Sequence, residues 1–210
     1  MYDLEEQEQI DALKAWWAQY ARWVWVGVVL VLLGIGAFQG WRAWQERQAQ
    51  NAGVLFEAVQ GAVLQRDLSK SLQALQALET AQPQSALATR GALLVAALAH
   101  EKGDLGNALQ TLQWVVTQGK EPAMVDLARL RAAGLLADQK KYDEALHLLQ
   151  DNHSADYLAM SADLRGDILL AQNKPDAARQ SWREALEKSQ PVDVLHQIVQ
   201  GKLDALGGSK

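Results

Sequence analysis

The side chains best suited to metal binding or acid–base work in this chain are four histidines and a few closely spaced carboxylates. His147 and His153 flank Asp151, and two imidazoles beside a carboxylate make a zinc site when they share one face. Six residues apart on a helix, they do not share one. His100 and His196 stand alone. Asp163 with Asp167, and Asp143 with Glu144, have the residue types of a general acid–base pair. On helices this polar they read as solvated faces. Cysteine is absent, which excludes thiol nucleophiles, disulfides and thiolate-bound metals. The chain has no phosphate-binding glycine loop, no Gly-x-Ser-x-Gly elbow and no His-Glu-x-x-His pair. The residues therefore predict no catalytic group, no metal and no cofactor. The function has to lie in what the elements bind.

The first such element is an uncharged apolar run, WVWVGVVLVLLGIGAFQGW, from Trp23 to Trp41 between Arg22 and Arg42. As a helix it reaches about 28 Å, close to the hydrocarbon thickness of a bilayer. Trp23 and Trp25 mark one end, and Trp41 and Trp44 the other. Indole rings favour the headgroup boundary, where the ring body is dry and the N–H is wet. A cleaved signal would start basic and end on small residues. This start carries Asp3, Glu5, Glu6, Glu8 and Asp11 against Lys14 and Arg22, and the bulky Trp41 stands where cleavage would need to occur. A buried core helix is a poorer fit, given the flanking Trp pairs and Arg. Lys14 and Arg22 before the run balance Arg42 and Arg47 after it, so charge leaves the orientation open. The short leading tail favours a cytoplasmic N-terminus, because a long following domain translocates regardless of its charge. Gly36 and Gly40 form a GxxxG pair that would let a second membrane helix approach closely. The same spacing also arises in spans without any such role.

Net charge is −5, and no basic stripe or Lys/Arg cluster occurs, so no nucleic-acid partner is expected. The acidic tail argues against anchoring on anionic lipid. After the apolar run, Ala, Leu and Gln dominate. Apolar residues recur at three and four rather than two, which predicts helices throughout.

Those helices repeat. One pair runs over 85–118 with a turn at Lys102, Gly103 and Asp104, a second over 123–150, and a third over 155–188 with a turn at Asn173, Lys174 and Pro175. A weaker copy precedes them, with a helix over 45–65 and a second helix opening at Leu68. Ser71, Ala108, Ala145 and Ala178 open the second helices at intervals of 37, 37 and 33 residues, near the ~34-residue tetratricopeptide period. A small residue there lets the paired helices cross closely, and a large apolar one four places later plugs the next repeat. Ala96, Ala133 and Gly166 are the matching small positions on the first helices. The fold class is all-α: a single N-terminal transmembrane helix followed by a tetratricopeptide-like helical solenoid. Its expected organisation is an acidic tail over 1–22, a span over 23–44, a repeat domain over 45–206 and a disordered tail over 207–210. A last helix over 191–206, with Leu195, Ile198, Val199, Leu203 and Leu206 along one side, caps the final repeat.

A solenoid binds through its concave face, lined by the first helix of each pair. This puts Arg90, Leu94, Ala97, Leu127, Leu130, Arg131, Met160, Asp163, Leu164 and Asp167 toward the groove. The set is half apolar with a few charges, which suits an extended peptide or partner helix.

Several strings are more specific than the repeat. Gly40-Trp41-Arg42-Ala43-Trp44 at the exit of the span resembles the GWRxW signature of the YfgM family of ancillary Sec translocon subunits. Ala162-Asp163-Leu164-Arg165-Gly166-Asp167, then Leu169-Leu170, Ala178-Arg179 and Ser181-Trp182, are similar to that family's last repeat. The resemblance covers nearly the whole chain and is weaker in the first repeat. It implies a single-pass inner-membrane protein with a cytoplasmic N-terminus and a periplasmic repeat domain. It also implies association with the SecYEG channel and with PpiD, a membrane-anchored periplasmic chaperone, and a role in passing unfolded secretory clients to chaperones. No catalytic residue comes with it. The function expected is a non-catalytic scaffold tethered to the bilayer. The alternative is a regulatory tether whose acidic tail holds a soluble regulator.

Overall fold

The computed structural model describes residues 2–151 and 154–207, and for residues 2–13, 15, 24 and 43–49 it describes the backbone alone. His153 and the tail beyond Gly207 lie outside the described residues, as does the side chain of Trp44. The described residues form helices joined by tight turns, with no strand among them. In chain order the helices are α1 (Tyr2–Leu64), α2 (Leu68–Ala81), α3 (Ala86–Glu101), α4 (Leu105–Gln118), α5 (Pro122–Asp138), α6 (Tyr142–Gln150), α7 (Ala155–Ala171), α8 (Pro175–Lys188) and α9 (Val194–Ala205). Two compact units result, Met1–Gln50 and Asn51–Lys210, with α1 contributing to both.

In the first unit, the stretch of α1 from Trp16 to Arg42 is long and apolar enough to cross a membrane. It begins seven residues before the expected Trp23 and so takes in Trp16, Trp17 and Tyr20. Leu30, Leu32 and Leu33 are each more than 60 % exposed. An unbroken apolar surface of this length is stable only where lipid covers it. Trp23, Trp25 and Trp41 are exposed as well. Trp16 and Tyr20 sit with ring centroids 5.6 Å apart, and Phe38 and Trp41 6.5 Å apart, so aromatics cluster toward each end of the stretch.

The second unit is built from one device used four times. The turn inside each helix pair carries one residue in the left-handed region: Arg66 at φ 55°, Gly103 at 78°, Lys140 at 60° and Asn173 at 60°. Around each, the same two backbone bonds form. Arg66 donates to Val63 O and Asp67 to Ala62 O, Gly103 to His100 O and Asp104 to Ala99 O. Lys140 donates to Ala137 O and Lys141 to Leu136 O, Asn173 to Leu170 O and Lys174 to Leu169 O. Each is a Schellman ending, which satisfies carbonyls the first helix leaves bare and reverses the chain. The left-handed residues recur at the same intervals as Ser71, Ala108, Ala145 and Ala178, five places before each. The weak first copy is therefore a full repeat, formed by residues 51–64 of α1 with α2.

Side chains cap the starts of α2, α3 and α4, whereas Ser154 before α7 and Asp193 before α9 make no capping bond. Asp67 accepts from Lys70 N at 3.0 Å, Ser85 from Ala88 N at 3.0 Å and Asp104 from Asn107 N at 3.1 Å. The Lys70 amide and then its ammonium hold Asp67 below the usual carboxylate range. Pro122 and Pro175 open α5 and α8, where a missing N–H breaks no helical bond.

Ser71, Ala108, Ala145 and Ala178 are each fully buried, and Leu75, Leu112, Leu149 and Trp182, four places on, are at most 3 % exposed. Burying each Leu stabilises by roughly 2 kcal/mol. Val59, Ala96, Ala133 and Gly166 face them across the helix pairs. The buried residues form three consecutive clusters, over α1–α5, α5–α7 and α7–α9. Val199 of α9 falls 33 residues after Gly166 and is fully buried, and Leu203 is buried beside it. α9 thus takes the place of the first helix of a fifth repeat and closes the last apolar face, where Val199 and Leu203 share a cluster with Trp182 and Ala185.

Candidate functional site

The ten residues expected along the groove separate into three groups. Arg90, Leu94 and Ala97 of α3 and Leu127 and Arg131 of α5 line a single open depression of about 390 Å³. Phe56 of α1 and Leu93 complete its walls. Ala97 and Arg131 also border a second depression of about 350 Å³ that reaches His100, Gly134 and Asp138. Leu94 is 38 % exposed although it is a large apolar side chain on a well-packed helix. Arg90 approaches Glu121 at 3.8 Å. The result is an apolar floor between two guanidinium groups, open to solvent.

Leu130 does not line the groove. It is 8 % exposed and belongs to the middle core cluster with Ala133, Leu136 and Ile168. Its register, three places before Ala133, turns it toward α7. Leu93 occupies the same register on α3 and is also buried. Phe56 is its counterpart on α1; Phe56 and Leu93 reach the depression although Leu130 in the same register does not, so the repeat register alone does not separate wall from core.

The third group belongs to α7. Met160 is exposed, and Leu164 packs against the middle cluster. Asp163 and Asp167 are already engaged. Lys202 of α9 places its Nζ 2.6 Å from Asp163 Oδ1 and 2.8 Å from Asp167 Oδ1. The same ammonium lies 5.8 Å from the centre of the Trp182 ring, a cation–π contact. Burial, with the like charge of Asp167, pushes Asp163 up against the pull of Lys202. Burial alone would lower Lys202, but the two carboxylates outweigh it and hold the ammonium charged above its usual range. At this end the acidic groove positions clamp the cap.

The close fit of the last repeat explains a glycine. A Cβ on Gly166 would lie 2.4 Å from Trp182 Cδ1 and Nε1. The indole stands where the other repeats have Leu75, Leu112 and Leu149, and glycine stands where α3 and α5 have alanine. Trp182 Nε1 donates to Asp163 O at 3.2 Å. Arg165 Nε donates to Ser181 Oγ at 3.2 Å, and its guanidinium also pairs with Glu184.

Among the described residues no three His, Cys, Asp or Glu side chains converge as a metal site. His147 is exposed on α6, and its expected counterpart His153 lies outside the described set. Gly36 and Gly40 have no side chain or distant backbone near their Cα, so that face of α1 is open within the chain. What the described arrangement offers is surface for recognition.

The tetratricopeptide repeat-like domain family matches residues 14–208. The ancillary SecYEG translocon subunit of Neisseria gonorrhoeae is 32 % identical over 97 % of this chain and 98 % of its own length. That of Escherichia coli is 31 % identical over 96 % of both chains. That of Haemophilus influenzae is 28 % identical over 98 % of this chain and 99 % of its own. Near-full-length similarity, with an apolar segment before four helix pairs and a cap, shows that the chain belongs to the ancillary SecYEG translocon subunits of the tetratricopeptide repeat-like family.

Proposed function

We propose that this protein is a non-catalytic scaffold held at the Sec translocon by its N-terminal helix, with the repeat domain binding partner proteins. The tail over 1–22 lies in the cytoplasm, the span over 23–44 crosses the inner membrane, and the repeats over 45–206 work in the periplasm. There they engage secretory chains leaving SecYEG and a PpiD-like membrane-anchored chaperone, so that clients pass from channel to chaperone. The observation that carries this reading is the depression on α1, α3 and α5. It joins an apolar floor of Phe56, Leu94 and Leu127 to the charges of Arg90 and Arg131. That composition suits segments of unfolded chain, which present apolar side chains and free backbone acceptors together. A membrane tether raises the local concentration of the groove, so weak and reversible binding suffices.

The test is isolation of the full-length protein from its native membrane in mild detergent after crosslinking in cells, followed by mass spectrometry. Recovery of SecY with a membrane-anchored chaperone is expected. A Leu94→Asp, Arg131→Glu variant should keep SecY and lose crosslinks to secretory chains. Recovery of a soluble cytoplasmic regulator in place of SecY would overturn the scaffold and favour a tether acting through the acidic tail.

A further inference from the structure

On the second-helix side of the repeats, α2 and α4 enclose a depression of about 350 Å³ that belongs to none of the surfaces above. Leu72, Leu75, Gln76 and Glu79 line it from α2, and Asn107, Gln110, Thr111 and Trp114 from α4. No Lys, Arg or His lines it.

Glu79 is out of place by the logic of the repeat. It stands eight residues after the small anchor Ser71. The same register holds Val116 after Ala108 and Leu186 after Ala178, both partly buried apolar side chains packed on the core. Glu79 puts a carboxylate where those two repeats have an apolar packing residue; the third repeat has His153 there, outside the described residues. The Glu79 side chain is half-buried, and no hydrogen bond or ion pair reaches it among the described residues. Burial pushes its carboxyl up to about 7. That is the behaviour of a carboxylate removed from water without a counter-charge.

Thr111, only 6 % exposed, lines the same depression beside Glu79. Asn107 gives its amide N–H to Asp104 Oδ2 at 2.7 Å, which leaves its carbonyl oxygen as an acceptor. Glu79 is the one charged side chain of the lining, set among the neutral polar groups of Gln76, Asn107, Gln110 and Thr111. Trp114 supplies an aromatic wall, and Leu72 and Leu75 an apolar one.

We propose that this depression binds the guanidinium group of an arginine side chain presented by a partner polypeptide. A guanidinium offers several N–H donors in one plane, enough for the Glu79 carboxylate and a neighbouring carbonyl or hydroxyl together. Its flat face stacks on indole, and its methylene stem matches the leucines. A divalent metal would need more anionic oxygens than the single carboxylate here. The inference is independent of the groove on α3 and α5, and it stands whether or not the repeats bind secretory clients there.

The test uses the full-length protein in detergent micelles, with its tryptophan indoles labelled with nitrogen-15 and the Trp114 signal assigned by Trp114→Phe. N-acetyl-arginine amide is titrated against N-acetyl-citrulline amide, which has nearly the same shape and no charge. The expected result is a saturable shift of the Trp114 signal with the arginine derivative, at least tenfold weaker with citrulline and at least tenfold weaker in Glu79→Gln. Glu79→Leu places at this register the apolar type found in the second and fourth repeats; it should fold and lose the response. An equal response to both ligands, or one that persists in both Glu79 variants, would overturn the proposal. So would no Trp114 shift in the wild-type chain at millimolar ligand. A linear, non-saturating shift would mean nonspecific contact and count the same way.

Discussion

Gly166 and Trp182 show how one residue choice forces another. An indole at the plug position of the last repeat leaves no room for a Cβ opposite it. Gly166→Ala should therefore destabilise the fold by about 2 kcal/mol, the usual cost of overpacking a tight core. Trp182→Leu should cost stability as well, through the cavity it leaves. In the double variant the alanine meets a leucine, as in α3 with α4, so the combined loss should be smaller than the sum. Chemical denaturation of the four proteins checks this, and strictly additive losses would mean that the two side chains do not constrain each other. Glu79 makes a prediction about pH. Its carboxyl is raised from 4.5 to about 7 in the folded protein, so the folded state holds the proton more tightly than the unfolded one. Its effect on stability is most favourable below pH 4.5 and is lost as pH rises through about 7. Glu79 is only partly buried, so solvent screening reduces the effect to about 1 kcal/mol. Melting curves between pH 4.5 and 8 should show this decline in the wild type, and Glu79→Gln should flatten it.

At the scale of the element, the four Schellman turns set the path of the solenoid, yet only one of them uses glycine. Arg66, Lys140 and Asn173 hold positive φ with a Cβ in place. Asn tolerates this region better than Arg or Lys does. Lys140 is exposed, so Lys140→Gly removes the steric cost without disturbing the core, against a smaller loss of unfolded-chain freedom. A net gain of about 0.5 kcal/mol is expected from thermal or chemical unfolding, and destabilisation would contradict the turn geometry. Arg66 has a second task, since its guanidinium reaches Glu101 at 2.7 Å and ties the first turn to the end of α3. The cap depends on Lys202. Replacing it with Met leaves Asp163 and Asp167 as two close carboxylates without their cation. Amide hydrogen exchange in α9 should then speed up at least tenfold while α3 and α5 stay protected. Equal exchange in α9 would show that Val199 and Leu203 hold the cap by themselves.

For the whole molecule, the physical division is between a segment that needs lipid and a repeat domain that needs only its own neighbours. Each repeat buries its apolar face on the next, so the domain requires no disulfide or metal, in keeping with the absence of cysteine. The apolar surface of Trp16–Arg42 is unburied among the described residues. Its glycines leave a narrow face where another membrane helix can come close. Gly36→Leu with Gly40→Leu should lower recovery of the translocon complex several-fold and leave the melting of the repeat domain unchanged. Undiminished recovery would assign the association to the repeats.

The sequence alone determined the elements and their order. The apolar run is legible because bilayer thickness sets the length such a helix needs. The repeat is legible because helix crossing demands a small residue and then a large one at spacings fixed within a single turn. Those are local requirements, written in consecutive residues. Only the tertiary structure decided which candidates share a surface. Arg90, Leu94, Ala97, Leu127 and Arg131 come together, whereas Leu130 turns into the core because its face meets α7. Asp163 and Asp167 look like open groove positions until Lys202, 39 and 35 residues further on, is found between them. Glu79 looks like any surface acid until α4 is found across a depression from it with no cation in the lining. Each outcome depends on how faces of separate helices meet, and spacing along one helix carries no information about the face that will oppose it.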